Sequence, residues 1–406
     1  MDPRDRPATF SVRREPAPDP EVVGEDADIV ERLRAEIEAD GPLPFARFME
    51  RALYEPGHGY YRRPVPGPGT AAGDYLTAPE AHPIFGATIG RLIEQAWDAL
   101  GRPEPFTITE PGAGTGALAL GLLAGLRDLG SPLLAVLRYR PLEVEPLRLG
   151  VLRGRLAAEG LDGPLVDTPQ DGPEAGAVVA NEVLDALPVH RVVGRPGGLR
   201  ELLVTWTEGG FAEVEAEPTT PALAARLAAE GVELADGRVA EVCLALDAWV
   251  AGATARLDPG VAVLIDYGED ARDLYRAGDA RRAAGTLRAF ARHAVSGDPF
   301  RHVGRQDLTA HVDLTAVRRA ASAAGLVPLG ETTQAELLAR LGSGELARTS
   351  LTRPDAGLQD ALALRSAVAR LMDPRGMGGF RVLAFGRGLP GGTVLPGLVR
   401  VGRPGA

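Results

Sequence analysis

The sequence predicts an α/β fold built on a parallel, doubly wound sheet, and two observations carry that expectation. The first is one stretch, FTITEPGAGTG from Phe106 to Gly116. A β-branched and aromatic run ends in Glu110, a glycine-rich turn follows, and an apolar helical segment then extends from Ala117 to Leu126. The second is the alternation of short apolar strands with helix-length segments, which favours parallel strands joined by crossover helices. In such sheets ligands bind at the carboxyl ends of the strands, near the point where strand order reverses.

Taken in order, the elements support this. Residues 1–27, rich in Pro, Arg, Asp and Glu, read as a disordered tail without the apolar core of a signal peptide. Ile29 to Ala39 is an amphipathic helix stopped by Asp40-Gly41-Pro42, and Pro44 to Leu53 is a second. Tyr54, Tyr60, Tyr61, Tyr75 and Phe85 then cluster in a chain only 5% aromatic, as a lid over a ligand or as core filler beneath a long loop. After the glycine turn, Leu142-Glu143-Val144 reads as strand two with Glu145 at its end, followed by a helix from Leu147 to Ala158. Leu165-Val166 and Ala177 to Ala180 read as strands three and four, and Val261 to Ile265 as a buried strand five ending at Asp266. Between them, Arg191 to Glu217 reads as a β-hairpin turning at Glu208-Gly209-Gly210, and Val239 to Leu257 as a helix. The segment through GTLRAFARH and GRQDLTAHVD is too long for a passive loop and reads as an insertion on the substrate side. Helices at Leu314–Ala324, Gln334–Leu341 and Leu358–Met372 and strands at Gly325–Leu329 and Phe380–Phe385 complete the sheet. The resulting domain spans 28–388, with a lid region at 28–104, a hairpin insertion at 190–238, the substrate-side insertion at 268–313 and a flexible tail at 389–406.

Composition excludes several classes. The 406 residues are 45% hydrophobic and 24% charged, ordinary globular material. A formal charge of −11 disfavours nucleic acid and anionic membranes as partners and suits a basic one. Lysine is absent, so all 44 basic residues are arginine, which excludes a P-loop lysine and Schiff-base catalysis. Cys243 is the one cysteine; it can form neither an internal disulfide nor a cysteine metal site, its helical-looking setting EVCLALDAWV marks it as a packing residue, and a reducing, cytoplasmic setting is expected. No apolar run approaches the roughly 20 residues that cross a bilayer.

The glycine spacing narrows the ligand. Gly112, Gly114 and Gly116 give G-x-G-x-G with Glu110 ahead of it, whereas the dinucleotide fingerprint puts its third glycine one residue later and an acid about 20 residues on. A nicotinamide oxidoreductase is therefore the weaker reading. E-x-G-x-G-x-G is similar to the first motif of class I S-adenosylmethionine methyltransferases. By that resemblance Glu110, Gly112, Gly114, Gly116 and Asn181 are expected to hold the cofactor, with Glu145, after strand two, on the ribose hydroxyls. Strand four ends in Asn181-Glu182-Val183-Leu184-Asp185; Glu182 and Asp185 lie three apart, so a helical turn would project both carboxylates to one side. A helix cap at Asn181 and Glu182 is the competing explanation. Asp266, and less so His293 and His311, are further candidates, and no metal set is expected.

The blocks GHGYY, GDYLTAPEAHPIFG, EPGAGTG, ANEVLDALPVHR, EVCLALDAWV, LIDYG, GTLRAFARH, QDLTAHVDLT, TTQAELL and MGGFRVLAFGR, in this order from Pro44 to Arg387, resemble the MidA-type methyltransferase family. The resemblance implies a seven-stranded, Rossmann-like class I fold, S-adenosylmethionine as methyl donor and protein arginine as acceptor. A mitochondrial member of that family assists assembly of respiratory complex I, so a subunit of such a complex is an expected partner. Glu182 and Asp185, with Asp266 behind them, would then hold the guanidinium. The alternative is a non-catalytic assembly factor that uses the fold only for binding.

Overall fold

The apolar runs assemble into a central sheet in the computed structural model, which describes residues 23–63, 76–169, 171–279, 282–292, 294–351, 357–390, 393 and 395–398. Its strands are β1 (Phe106–Pro111), β2 (Leu137–Leu142), β3 (Glu174–Asn181), β4 (Leu257–Asp266), β5 (Val327–Thr333) and β6 (Arg381–Arg387), in the order β5-β6-β4-β3-β1-β2. β2, β1, β3 and β4 are parallel, and β6 lies antiparallel between β4 and β5. The chain leaves β1 toward one edge and returns to β3 on its other side. Strand order thus reverses where β1 and β3 end, and there a cleft opens.

Residues alternate across this sheet with period two. Ala177, Val179, Val261, Val263 and Ile265 face one apolar layer, and Val178, Ala180, Ala262 and Leu264 the other. Fully burying such a side chain contributes roughly 1.5–3 kcal/mol each, so near-continuous apolar runs are what a sheet covered on both faces needs. Four helices matter to the cleft: α1 (Ala27–Asp40), α2 (Phe45–Tyr54), α3 (Ala78–Ala81) and α4 (Ile84–Ala99). α4 packs on the first face beside α5 (Ala117–Asp128), which follows the glycine turn; α6 (Pro146–Ala158) follows β2.

The N-terminal helices share a separate core with the insertions. Ile29, Leu33, Phe45, Phe48 and Met49 pack with Val204, Leu287, Val303 and Leu308. Above them lies a five-stranded antiparallel sheet of Leu43–Pro44, His190–Arg195, Gly198–Thr207, Gly210–Ala216 and Val239–Val242. A three-stranded sheet of Arg288–Ala291, Ala294–Ser296 and Asp307–Thr309 supplies the 268–313 insertion with its own structure.

Several expectations are revised. The 191–217 hairpin is three strands, and its sheet recruits residues beyond 238. Val239 to Leu257 is not one helix: Val239–Val242 pairs antiparallel with His190–Val193, and the helix begins only at Leu246. Pairing with a neighbouring strand overrides the helical look of this segment. It also draws the buried Glu241 carboxylate onto Thr286, whose backbone N–H and Oγ1 donate to it at 2.7 and 3.0 Å. Cys243 therefore sits in a connection, half-buried between two apolar clusters, and burial pushes its thiol up to about 11, as a packing residue requires. β2 runs from Leu137 to Leu142 and so ends before Glu143. The strand expected at Leu165-Val166, which would have made the sheet seven-stranded, shrinks to a single parallel bridge between Leu165 and Tyr139, since Pro164 beside it has no N–H to extend a ladder. Most of both expected tails, the Pro/Gly loop at 64–75 with Tyr75, and His293 lie outside the described residues; Asp26, by contrast, caps α1 by accepting from Ile29 N at 3.3 Å.

Candidate functional site

At the reversal point lies a cavity of about 450 Å³, a size suited to a small-molecule ligand. Its back wall is the glycine loop, and each glycine there has its own reason. A Cβ on Gly112 would stand 2.8 Å from Val183 Cγ2, and one on Gly116 2.6 Å from Leu152 Cγ, so both positions need the absence of a side chain for packing. Gly114 differs. Its φ is +54°, and among the described residues a Cβ there would meet only Gly112 O, at 4.0 Å. That is the cradle expected where a ligand rather than protein comes close to the backbone.

The carboxyl end of β2 forms one side. Glu143 Oε2 accepts from Gly114 N at 2.9 Å, and Oε1 accepts from Glu145 N at 3.1 Å and Arg148 Nη1 at 3.2 Å. Glu143, Leu142 and Val144 line the cavity; Glu145 does not. Glu145 instead caps α6, accepting from Leu147 N at 3.2 Å. Glu143, not Glu145, is therefore the acid that the end of β2 presents to the cavity, and the signal was Pro146: a proline at the first helical position makes the residue before it a cap. Glu110 lies on the cavity floor, accepting from the Tyr139 hydroxyl at 2.5 Å, and burial pushes its carboxyl up to about 8.

The carboxyl end of β3 forms the opposite side. Asn181 and Glu182 line the cavity. Glu182 adopts a left-handed φ of +52°, unusual for a non-glycine residue and a place where strain accompanies function. One of its oxygens accepts from Ala78 N at 3.1 Å and Asn181 Nδ2 at 2.9 Å. Burial pushes the Glu182 carboxyl up to about 8, the Asp185 and Glu80 charges adding to it against those two hydrogen bonds.

Asp185 and Asp266 do not join Glu182 at the cavity surface. No helical turn forms after β3, so the three-residue spacing does not place Glu182 and Asp185 on one face. Asp185 is buried and accepts from the Tyr267 hydroxyl; burial pushes its carboxyl up to about 6. Asp266 Oδ2 accepts from the backbone N–H groups of Val183, Leu184 and Asp185 at 3.2, 2.9 and 3.2 Å. It is 1% exposed, and burial, then the Asp185 and Glu182 charges, raise its carboxyl. Its geometry is that of a clamp on the 183–185 loop, which holds Glu182 in its left-handed conformation. His311 packs edge-on against Tyr267, outside this cavity, with its pKa lowered by burial.

The N-terminal region closes the front. Tyr54 and Tyr61 stack with centroids 5.5 Å apart and both line the cavity. Their hydroxyls donate to Ala186 O at 2.9 Å and Asp307 Oδ1 at 2.7 Å, tying this wall to the β3 loop and the insertion. Tyr60 and Phe85 are instead fully packed in the core. Glu80 on α3 also faces the cavity, a residue sequence reasoning missed.

The residues present fit S-adenosylmethionine. Gly114 leaves room at the loop, Glu143 offers a carboxylate at the end of β2, and the buried Asn181 Oδ1 has no hydrogen-bond partner among the described residues. Comparison with known proteins agrees. A family model described as "Putative S-adenosyl-L-methionine-dependent methyltransferase" matches residues 88–332. The chain is similar to the crystal structure of a Burkholderia thailandensis protein bound to S-adenosyl-homocysteine: TM-score 0.80, 36% identity, 94% of this chain and 97% of that one. A native structure of a Burkholderia thailandensis protein of the same superfamily matches with a TM-score of 0.81 at 36% identity, over 95% of this chain and 98% of that one. Among curated proteins, the mitochondrial protein arginine methyltransferase NDUFAF7 homolog of Drosophila melanogaster is 29% identical over 389 residues, 88% of this chain and 84% of that protein. Fold, cleft and comparisons converge, and the chain belongs to this family of S-adenosylmethionine-dependent methyltransferases.

Proposed function

We propose that the protein methylates arginine on a protein partner, with a subunit of a respiratory complex as the expected kind of partner. The observation that carries this reading is the acidic lining of the cavity, in which burial biases Glu80, Glu110 and Glu182 toward the protonated form until an entering cation draws them into the ionised one. Among the described residues, four carboxyl side chains line it (Glu80, Glu110, Glu143 and Glu182), against one cation, Arg148, already paired with Glu143. A cavity so lined favours a cationic guest and disfavours an anionic one. Relatives named as protein arginine methyltransferases make guanidinium the natural choice among cations.

When bound, S-adenosylmethionine supplies an electrophilic methyl group on a sulfonium. The chain's part is placement. Glu143, Glu110, Gly112, Gly114 and Asn181 would hold the cofactor at the back of the cavity, with Gly116 packed on Leu152 outside the lining, while Tyr54 and Tyr61 cover the front and exclude water. Aligning two reactants can contribute roughly 7–11 kcal/mol, which suits an in-line transfer that needs little covalent help. A guanidinium has a pKa above about 12 and is a poor nucleophile while delocalised. Glu182, hydrogen-bonding two of its N–H groups, would bias its charge toward the bound nitrogens and aim the third. The same carboxylate can accept the proton released from the methylated nitrogen.

The test is to incubate the protein with tritiated S-adenosylmethionine and lysate lacking the native gene product, then hydrolyse the labelled protein to amino acids. Label in methylarginine supports the reading. Label in another residue, or cofactor binding with no labelled protein, contradicts it; the latter result is what a non-catalytic assembly factor would give.

A further inference from the structure

We propose that Glu80, from the N-terminal region, is the second carboxylate of the acceptor site and with Glu182 forms a two-pronged receiver for the acceptor's cationic head. This rests on the arginine reading above and replaces Asp185 in the pair.

Glu80 and Glu182 come from segments 102 residues apart but meet at one turn, Thr77-Ala78. Ala78 N donates to Glu182 Oε1 at 3.1 Å. Thr77 N and Oγ1 donate to Glu80 Oε2 at 3.4 and 3.1 Å. Both residues line the cavity, and the other oxygen of each takes no hydrogen bond from a described residue. The remaining cavity carboxyls are engaged elsewhere, Glu143 by Gly114 and Arg148, Glu110 by Tyr139. Asp185 takes Tyr267's hydroxyl and is outside the lining. Among the described residues Glu110 Oε1 also takes no hydrogen bond, but Glu110 lies at the end of β1; at the Thr77-Ala78 turn the oxygens without a described donor belong to Glu80 and Glu182, with the Tyr54 and Tyr61 rings in the same cavity wall. A planar guanidinium matches such a set, since its N–H groups form a fork that two carboxylate oxygens can bridge.

The electrostatics agree. Burial pushes Glu80 up to about 7 against its Thr77 hydrogen bonds and the Arg155 charge; Glu182 stands at about 8 with Asp185 and Glu80 beside it. Without a cation the pair holds protons near neutral pH. An entering guanidinium favours both carboxylates, so binding releases protons.

Calorimetry on the full chain loaded with S-adenosyl-homocysteine tests this. The probe is Nα-acetyl-arginine methylamide, with the neutral citrulline analogue as control, in two buffers of different ionisation heat. Wild type is expected to bind the arginine probe at least about tenfold more tightly than citrulline, releasing protons. Glu80→Gln is expected to weaken the arginine probe about tenfold and to reduce the proton release, with S-adenosyl-homocysteine affinity within about threefold of wild type. Should Glu80→Gln fail to fold, Glu80→Asp keeps the charge but withdraws it by one methylene and is expected to weaken the probe likewise. Undiminished arginine binding in the Glu80 variants, with loss in Glu182→Gln, overturns the role of Glu80 and leaves the arginine reading intact. A wild type that binds citrulline as tightly as arginine overturns both.

Discussion

Glu143, at the end of β2, accepts a hydrogen bond from the backbone N–H of Gly114 at 2.9 Å, so an acid that lines the cavity also holds the glycine loop in place. Arg148 donates to the same carboxylate, and both side chains are 5% exposed. Removing one member of a buried ion pair typically costs about 3–5 kcal/mol, because the other is left uncompensated. Glu143→Ala is accordingly expected to lower thermal stability and cofactor affinity together. Denaturant titration and calorimetry check this; an unchanged midpoint would show that the pair is not structural.

Gly114→Val separates fold from binding. The added methyls enter space that faces the cavity, not the protein, although φ of +54° strains any side chain there. Affinity for S-adenosylmethionine is expected to fall about a hundredfold or more, with circular dichroism close to wild type. Unchanged affinity would remove the ligand from this loop.

Glu182→Gln keeps the shape of the β3 loop but loses the charge. Calorimetry is expected to find near-normal S-adenosylmethionine binding while methyl transfer is lost. Full turnover would move the active carboxylate elsewhere.

Asp266→Ala leaves three backbone N–H groups of the 183–185 loop without their shared acceptor. Unsatisfied buried donors cost about 1–3 kcal/mol each, so a loss of about 2–4 kcal/mol after partial relaxation is expected by denaturant unfolding. Activity should fall with it, because the loop that sets Glu182 loosens; an active, stable variant would refute the clamp.

The unliganded protein should lose stability as pH rises. Burial pushes Glu110 and Glu182 each to about 8 from 4.5, so the folded state binds protons that the unfolded state has released. Their contribution is complete below about pH 4.5 and disappears as pH rises through about 8. Relative to wild type, Glu110→Gln and Glu182→Gln are expected to gain melting temperature between about pH 5 and pH 8.5. A gap constant across that range would show that these carboxyls titrate normally.

The central sheet was legible because its signals are local. The glycine turn after Phe106–Thr109 and the apolar runs at Ala177 and Val261 each state their element without help from distant residues. Glu110, Gly112 and Gly114 were legible as residues of the cavity for the same reason, whereas Gly116 is spent on packing against Leu152. Glu145 was misplaced by a strand boundary that slid by two residues, a known weakness of reading ends. Asp266 was a weaker candidate for the acceptor site by its place at a strand end, but its actual role depends on which way the 183–185 backbone turns. Asp185 was paired with Glu182 on an assumed helical turn that does not form. Glu80 could not be placed, since its meeting with Glu182 arises only when α3 docks on the β3 loop; T-A-P-E announced a helix start and nothing about its neighbour.

The most direct test of the account is a crystal structure of the protein soaked with S-adenosyl-homocysteine. The account predicts ligand density in the cavity between Gly114 and Glu182, against Glu143 and behind Tyr54 and Tyr61. A cavity filled by the protein's own side chains, with the ligand absent or bound elsewhere, would contradict it.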